Sequence, residues 1–206
     1  MYHRILTWTC LWLLSATPPA AAQTELSVEE LQDYAARARN LITVFLENIP
    51  EIASGLKPKD FREAAARTTL KLFAANAYIQ EKNKFSERTK TWKPEDYLNE
   101  LTKRSEKAPV LIDFEIIDDL TPDKMTMKKN KDGSVSYFGK MVFRQYYCIL
   151  KEPGAFQEPT ETNPDLNCQY SDTTEKEVNF ELTLQESITG KFWVTKIASI
   201  DVLRVF

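Results

Sequence analysis

The hydrophobic and polar positions change period about halfway along the chain. Ser27-Val28-Glu29-Glu30 has the form of a capping box, with Ser27 as N-cap and Glu30 reaching back to it. Apolar residues then recur at Leu31, Tyr34, Ala38, Leu41/Ile42, Phe45 and Ile49, which predicts a helix over 28–49 stopped by Pro50. Pro58 suits a first helical position. Phe61, Ala65, Thr68/Thr69, Leu72 and Phe73 continue a second helical stripe to about Ala75. Ala77-Tyr78-Ile79 is a short apolar run, a strand or a helix end, and 82–92 reads as loop. Lys93-Pro94 opens a shorter helix that buries Tyr97, Leu98 and Leu101.

Beyond Pro109 the period falls to two. Val110, Ile112, Phe114 and Ile116 alternate with Leu111, Asp113, Glu115 and Ile117, predicting a strand. Asn130-Lys131-Asp132-Gly133 is a turn, since Asp-Gly tolerates the positive φ angles of tight hairpins. Val135 to Leu150 reads as one long strand, and Val178, Phe180, Leu182 and Leu184 alternate cleanly with polar neighbours. Gly190 turns the chain into a last strand from Phe192 to Val205. Helices followed by strands predict an α+β fold, with N-terminal helices packed on a curved, cone-like antiparallel β-sheet.

Composition alters this picture mainly at the N-terminus. Met1–Arg4 carries one fixed positive charge, 5–16 is apolar, Thr17-Pro18-Pro19 breaks the run, and Ala20-Ala21-Ala22 supplies small residues. This is the layout of a secretory signal peptide over 1–22, cut between Ala22 and Gln23. The apolar run is too short to span a bilayer, which takes roughly 20 residues. No later segment is apolar for long enough, so no membrane span is expected after cleavage. The mature chain, 23–206, is read as a single domain and loses His3, Arg4 and Cys10. Without histidine it has no Ser-His-Asp triad and no His-ligated metal. Five glycines spread along the chain leave no Gly-rich phosphate loop. No cofactor is implied.

The segments Leu72-Phe73-Ala74-Ala75-Asn76-Ala77-Tyr78-Ile79, Tyr97-Leu98-Asn99-Glu100-Leu101, Tyr170-Ser171-Asp172-Thr173-Thr174 and Phe192-Trp193-Val194-Thr195-Lys196-Ile197 follow an order of helices, short strand and long meander. In that order the chain resembles the nuclear transport factor 2-like (cystatin-like cone) superfamily, and within it secreted bacterial members. The resemblance implies a fold that hosts isomerases, dehydratases and cyclases as well as non-enzymatic binding and dimerisation modules, so it does not determine function.

Cys148 and Cys168 are the sharpest pair of residues. Both remain in an exported chain that meets an oxidising compartment, and a disulfide between them would close a long loop rich in proline and acidic residues. The mature chain has no histidine to activate either thiol. Arg144 and Gln145 form a polar pair mid-strand among aromatics, and with Tyr78 and Tyr146 they are the candidate lining of a ligand pocket. Asp113, Glu115 and Asp201, with Tyr78, Tyr146 and Tyr147, are candidates for acid–base chemistry, against the plainer reading of a solvated strand face. Asp118, Asp119 and Asp123 lack the spacing of a calcium loop. Lys124, Lys128, Lys129 and Lys131 form a local basic patch in an acidic chain, which argues against nucleic acid as a partner. The expectation is a secreted or periplasmic, non-catalytic binding or interaction module for a small molecule or a protein. The alternative is a small isomerase or dehydratase with an Asp/Tyr site in the cone. Val178, Phe180, Leu182 and Leu184 serve either the core or the interface of a homodimer.

Overall fold

The computed structural model describes residues 25–108, 110–151 and 168–206. The signal-peptide reading of 1–22 and the Ala22/Gln23 cleavage lie outside these residues. The chain runs α1 (Val28–Ala53), α2 (Lys59–Leu70), β1 (Phe73–Glu81), β2 (Lys90–Trp92), α3 (Pro94–Lys107), β3 (Val110–Asp118), a short 3₁₀ turn, β4 (Thr126–Lys129), β5 (Val135–Leu150), β6 (Cys168–Ser187) and β7 (Gly190–Val205). The α+β class read from the pattern is the observed one.

The capping box of α1 forms as expected. Ser27 Oγ accepts from the Glu30 amide at 3.2 Å, and the Ser27 amide donates to Glu30 Oε2 at 2.8 Å. Pro50 does not stop the helix, which continues to Ala53. It removes one hydrogen bond in the last turns, while Ile52 and Ala53 beyond it are fully buried. The second helix ends at Leu70, short of the expected 75. Leu72 and Phe73 fit a helical stripe, but β7 recruits them: Leu72 O accepts from Ile197 N at 2.9 Å, and Phe73 lies opposite Ile197. Ala77-Tyr78-Ile79 is therefore strand, and the expected loop 82–92 ends in the short β2.

The strands form one sheet in the order β2-β1-β7-β6-β5-β3, with β4 pairing with β5. All neighbours are antiparallel except β1 and β7. Register shifts between Ile149 and Leu150, Glu175 and Lys176, and Asn179 and Phe180 accompany the curvature of the long strands. The sheet is curved and unclosed, and its concave face receives α1 and α3. Ala38, Ile42, Phe45, Ile49 and Ile52 of α1 pack with Ile79, Met141, Phe143, Val178, Phe180, Ile197 and Ile200. Tyr97, Leu98 and Leu101 of α3 are buried, as their spacing predicted. Val178, Phe180 and Leu182 thus belong to the interior and not to an outer interface.

Two details fix the far end of the sheet. Gly133 adopts φ 84° in the β4–β5 hairpin, which a side chain would strain. Leu26, just before α1, packs on a small second core of Val135, Tyr137 and Leu182, and its amide donates to the Tyr137 hydroxyl at 2.7 Å.

Candidate functional site

Alternation along β5 and β6 sorts their side chains onto two faces. On β5 the odd-numbered Met141, Phe143, Gln145 and Tyr147 point inward, and the even-numbered Lys140, Arg144 and Tyr146 point outward. On β6 the even-numbered row points inward: Tyr170, Asp172, Thr174, Lys176, Val178, Phe180 and Leu182. That inward row changes character midway. Val178 onward is apolar and meets the helices. Tyr170 to Lys176 is polar and lies beyond them.

This polar half of the concave face lines a cavity of about 330 Å³. Its walls are Gln145, Tyr147 and Ile149 of β5, the four polar residues of β6, the end of β1 at Glu81 with Lys82 and Asn83, and Arg104 of α3. The strand register places Tyr147 opposite Asp172, Gln145 opposite Thr174, and Ile149 opposite Tyr170.

The charges in the cavity fall into two groups. The first is closed. Arg104 makes two bonds to Glu81, Nη1 to Oε1 at 2.5 Å and Nη2 to Oε2 at 3.1 Å, and its Nε reaches Glu100 at 3.1 Å. Trp92 Nε1 adds a bond to Glu81 Oε2 at 3.0 Å. Burial pushes the Glu81 carboxyl up, but these donors hold it below its ordinary pKa. The second group is open. Asp172 Oδ2 accepts from the Tyr170 hydroxyl at 2.7 Å and from the Lys84 amide at 3.1 Å, while its Oδ1 is buried with no partner among the described residues. Lys176 is only 3% exposed. It makes no hydrogen bond or ion pair with any described residue, although Glu81 and Asp172 attract it from a distance. Burial pushes its ammonium down to a pKa of about 8, against the pull of those two carboxylates. Burial, and then the adjacent Asp172, raise the Tyr170 hydroxyl.

An aromatic edge borders this open group. Tyr147 and Tyr170 meet edge to face with ring centres 6.2 Å apart, and Phe85 lies 5.7 Å from Tyr170. The disulfide is beside it. Cys148 and Cys168 are bonded, with Cα atoms 5.5 Å apart, and they join β5 and β6 next to Tyr147, Ile149 and Tyr170. Residues 152–167 between them lie outside the described chain.

Of the expected pocket residues only Gln145 lines this cavity, and the others are elsewhere. Arg144 and Tyr146 are on the outer face, where Arg144 Nη1 and the Tyr146 hydroxyl both donate to Glu115 Oε2 at 3.0 Å. Arg144 also reaches Glu175 at 2.8 Å, and Glu175 pairs with Arg204 at 3.6 Å, so a ladder of charges crosses four strands. Tyr78 is exposed on β1, well away from β5 in the strand order. Asp113 is exposed, and Asp201 is held by Asn179 and Ser199 at 3.0 and 2.7 Å, so neither meets the cavity. Of the acid–base candidates only Tyr147 lines it. Asp118 is neutralised by Lys124. Among the described residues no cluster of three metal-ligating side chains occurs, and no helix is long and apolar enough to cross a membrane.

A second groove, of about 510 Å³ between α2 and α3, is lined by Lys59, Glu63, Arg67, Glu95, Lys103 and Glu106. None of these charged side chains is buried. The cavity under β5 and β6 is therefore the candidate site.

No protein-family model matches the sequence. No curated protein matches it either. Among solved structures the chain is similar to Aln2 from a Streptomyces species, with 14% identity over 84% of this chain and 90% of that one and a TM-score of 0.34. It is also similar to a protein from Catenulispora acidiphila, with 12% identity over 82% and 92% and a TM-score of 0.36. At these values neither likeness bears on the chemistry, which is read from this chain's own residues.

Proposed function

We propose that the protein is an exported binding module that holds a small polar molecule in the cavity under β5 and β6. One observation carries the reading: Lys176, only 3% exposed, lines the cavity and makes no hydrogen bond or ion pair with a described residue, and the buried Oδ1 of Asp172 beside it has no partner among them either. Leaving a buried polar group unpaired costs about 1–3 kcal/mol, and more for a charge. A ligand with an acceptor for Lys176 and a donor for Asp172 removes both penalties, and the aromatic edge offers it an apolar surface. The export half of the proposal is supported by the signal-like residues 1–22 and by the Cys148–Cys168 disulfide, which suits an oxidising compartment. The order of helices and meander supports a nuclear transport factor 2-like reading of the fold.

A second reading is favoured by a specific contact. A buried carboxylate bonded to a tyrosine hydroxyl inside a cavity is what an acid–base enzyme of this shape requires, and Asp172 with Tyr170 supplies it. Turnover would then use this pair in place of Asp113, Glu115 or Asp201.

Amide ¹H–¹⁵N spectra of the full chain, titrated with neutral polyols, sugars and amino acids, test the binding reading. The expected result is that at least one compound shifts Tyr147, Tyr170, Asp172 and Lys176 together and leaves Tyr78 and Lys140 in place. No response in the cavity from any of them, or shifts confined to the outer face, would overturn it.

A further inference from the structure

We infer that the side-chain amine of Lys176 is a covalent carbonyl-binding site, condensing with the aldehyde group of a small neutral hydroxyaldehyde seated in the cavity under β5 and β6. This rests on the reading of that cavity as a binding site and adds the chemistry of its occupant.

Four features of the structure lead here. Lys176 is among the most deeply buried charged residues, yet it lines an open cavity, so a small molecule can reach it where a protein surface cannot. Its nitrogen shares no hydrogen bond with any described residue, so no donor among them occupies the lone pair of the neutral amine. Desolvation brings its proton equilibrium close to neutral pH, the means by which lysines become imine-forming nucleophiles. The charged and titratable groups that share its cavity are Asp172 and Tyr170 on its own strand, Glu81 on β1 with Lys82 after it, Arg104 on α3 and Tyr147 on β5.

The same surroundings select the carbonyl compound. Arg104 is occupied by Glu81 and Glu100, so the carboxylate of an oxo acid finds no free guanidinium. With the Lys176 amine neutral, Glu81 and Asp172 balance Arg104 and Lys82, so the lining gives an anion no net attraction. Hydroxyl groups, in contrast, match the free Oδ1 of Asp172 and the side chains of Gln145, Thr174 and Asn83. The cavity of about 330 Å³ takes a chain of a few carbons.

The step needs no oxidant or reductant. The neutral Lys176 amine adds its lone pair to the aldehyde carbon, and the carbonyl oxygen becomes a hydroxyl. A proton is then taken up, that hydroxyl leaves as water, and a protonated imine remains. Asp172 and the Tyr170 hydroxyl bonded to it lie on the same inward row and can carry the protons. Water reverses the sequence and releases the aldehyde unchanged.

The probe is glycolaldehyde at limiting concentration, added to the full chain with cyanoborohydride, which reduces the imine to a stable secondary amine. Peptide mapping then gives the labelling rate at each lysine. At pH 7 Lys176 should label at least about tenfold faster than exposed lysines such as Lys140 and Lys191, because its neutral fraction is about 300-fold larger and its lower basicity gives back only part of that gain. Lys176→Met should abolish that label and leave the others unchanged. Labelling spread evenly over surface lysines, or Lys176 the slowest, would overturn the inference. A parallel amide titration with glycerol, which has no carbonyl group, separates the two readings. Cavity shifts with glycerol but no selective labelling would sink the imine and leave the binding site standing. Neither response would remove both.

Discussion

Replacing Lys176 by methionine should make the protein more stable at neutral pH. Methionine keeps the length and flexibility of the side chain and deletes the charge. The magnitude follows from the buried ammonium. A lysine that titrates near 10.5 in the unfolded chain and about 8 in the fold carries a penalty of about 3 kcal/mol when charged. Below pH 8 both states hold the proton, and the fold bears the whole penalty. Between pH 8 and 10.5 the folded chain has released it while the unfolded chain retains it, so wild-type stability rises with pH. Above 10.5 neither state is charged, and the penalty is gone. Urea unfolding of both proteins, followed by tryptophan fluorescence from about pH 6 to 10.5, reads this directly. Lys176→Met should be ahead by up to about 3 kcal/mol at pH 7, with the gap closing as pH rises through that window. A gap independent of pH, or a wild type that is the more stable at pH 7, would refute the reasoning. Either result would mean that the ammonium has a strong partner within the protein.

The remaining predictions concern the groups around the cavity and behind it. Replacing Cys148 and Cys168 by serine should cost about 3 kcal/mol, the chain entropy of a loop with a sequence separation of 20, read as a lower urea midpoint. Arg104→Ala strips Glu81 of a two-bond partner in a half-buried setting and should cost about 2 kcal/mol. Arg144→Ala, on the solvated outer ladder, should lower the urea midpoint far less than Arg104→Ala does in the same unfolding series. Gly139→Ala should cost about 1–3 kcal/mol by thermal unfolding, because its Cβ would sit 2.7 Å from Cδ1 of the buried Leu120.

The elements that could be read in the sequence are those whose neighbours impose one period. The stripe from Leu31 to Ile49 and the capping box at Ser27 leave no choice but a helix, and the alternation from Val178 to Leu184 leaves none but a strand. Leu72 and Phe73 satisfy both periods, and only pairing with Ile197 decides between them. The site was hidden for a related reason. Its β6 residues Asp172, Thr174 and Lys176 continue the inward row of Val178 and Phe180, but they are polar, so a search for apolar alternation stops at Val178. Carrying the parity of Val178 backwards through Tyr170 is the signal that finds them. On β5 the parity is ambiguous because aromatic and aliphatic residues occupy both faces, as in Val142-Phe143 and Tyr146-Tyr147. Arg144 and its neighbour Gln145 are both polar, and only the burial of Met141 and Phe143 shows that Gln145 faces the cavity.

The claim that the cavity holding Lys176 and Asp172 is where this protein binds its ligand meets its most direct test in a native mass spectrum. The protein would be recovered from its own host without reductant, beside a variant carrying Lys176→Met and Asp172→Ala. The account predicts one small-molecule adduct per chain on the wild type and none on the variant. A wild type free of adduct, or a variant that retains it at equal occupancy, would contradict the account.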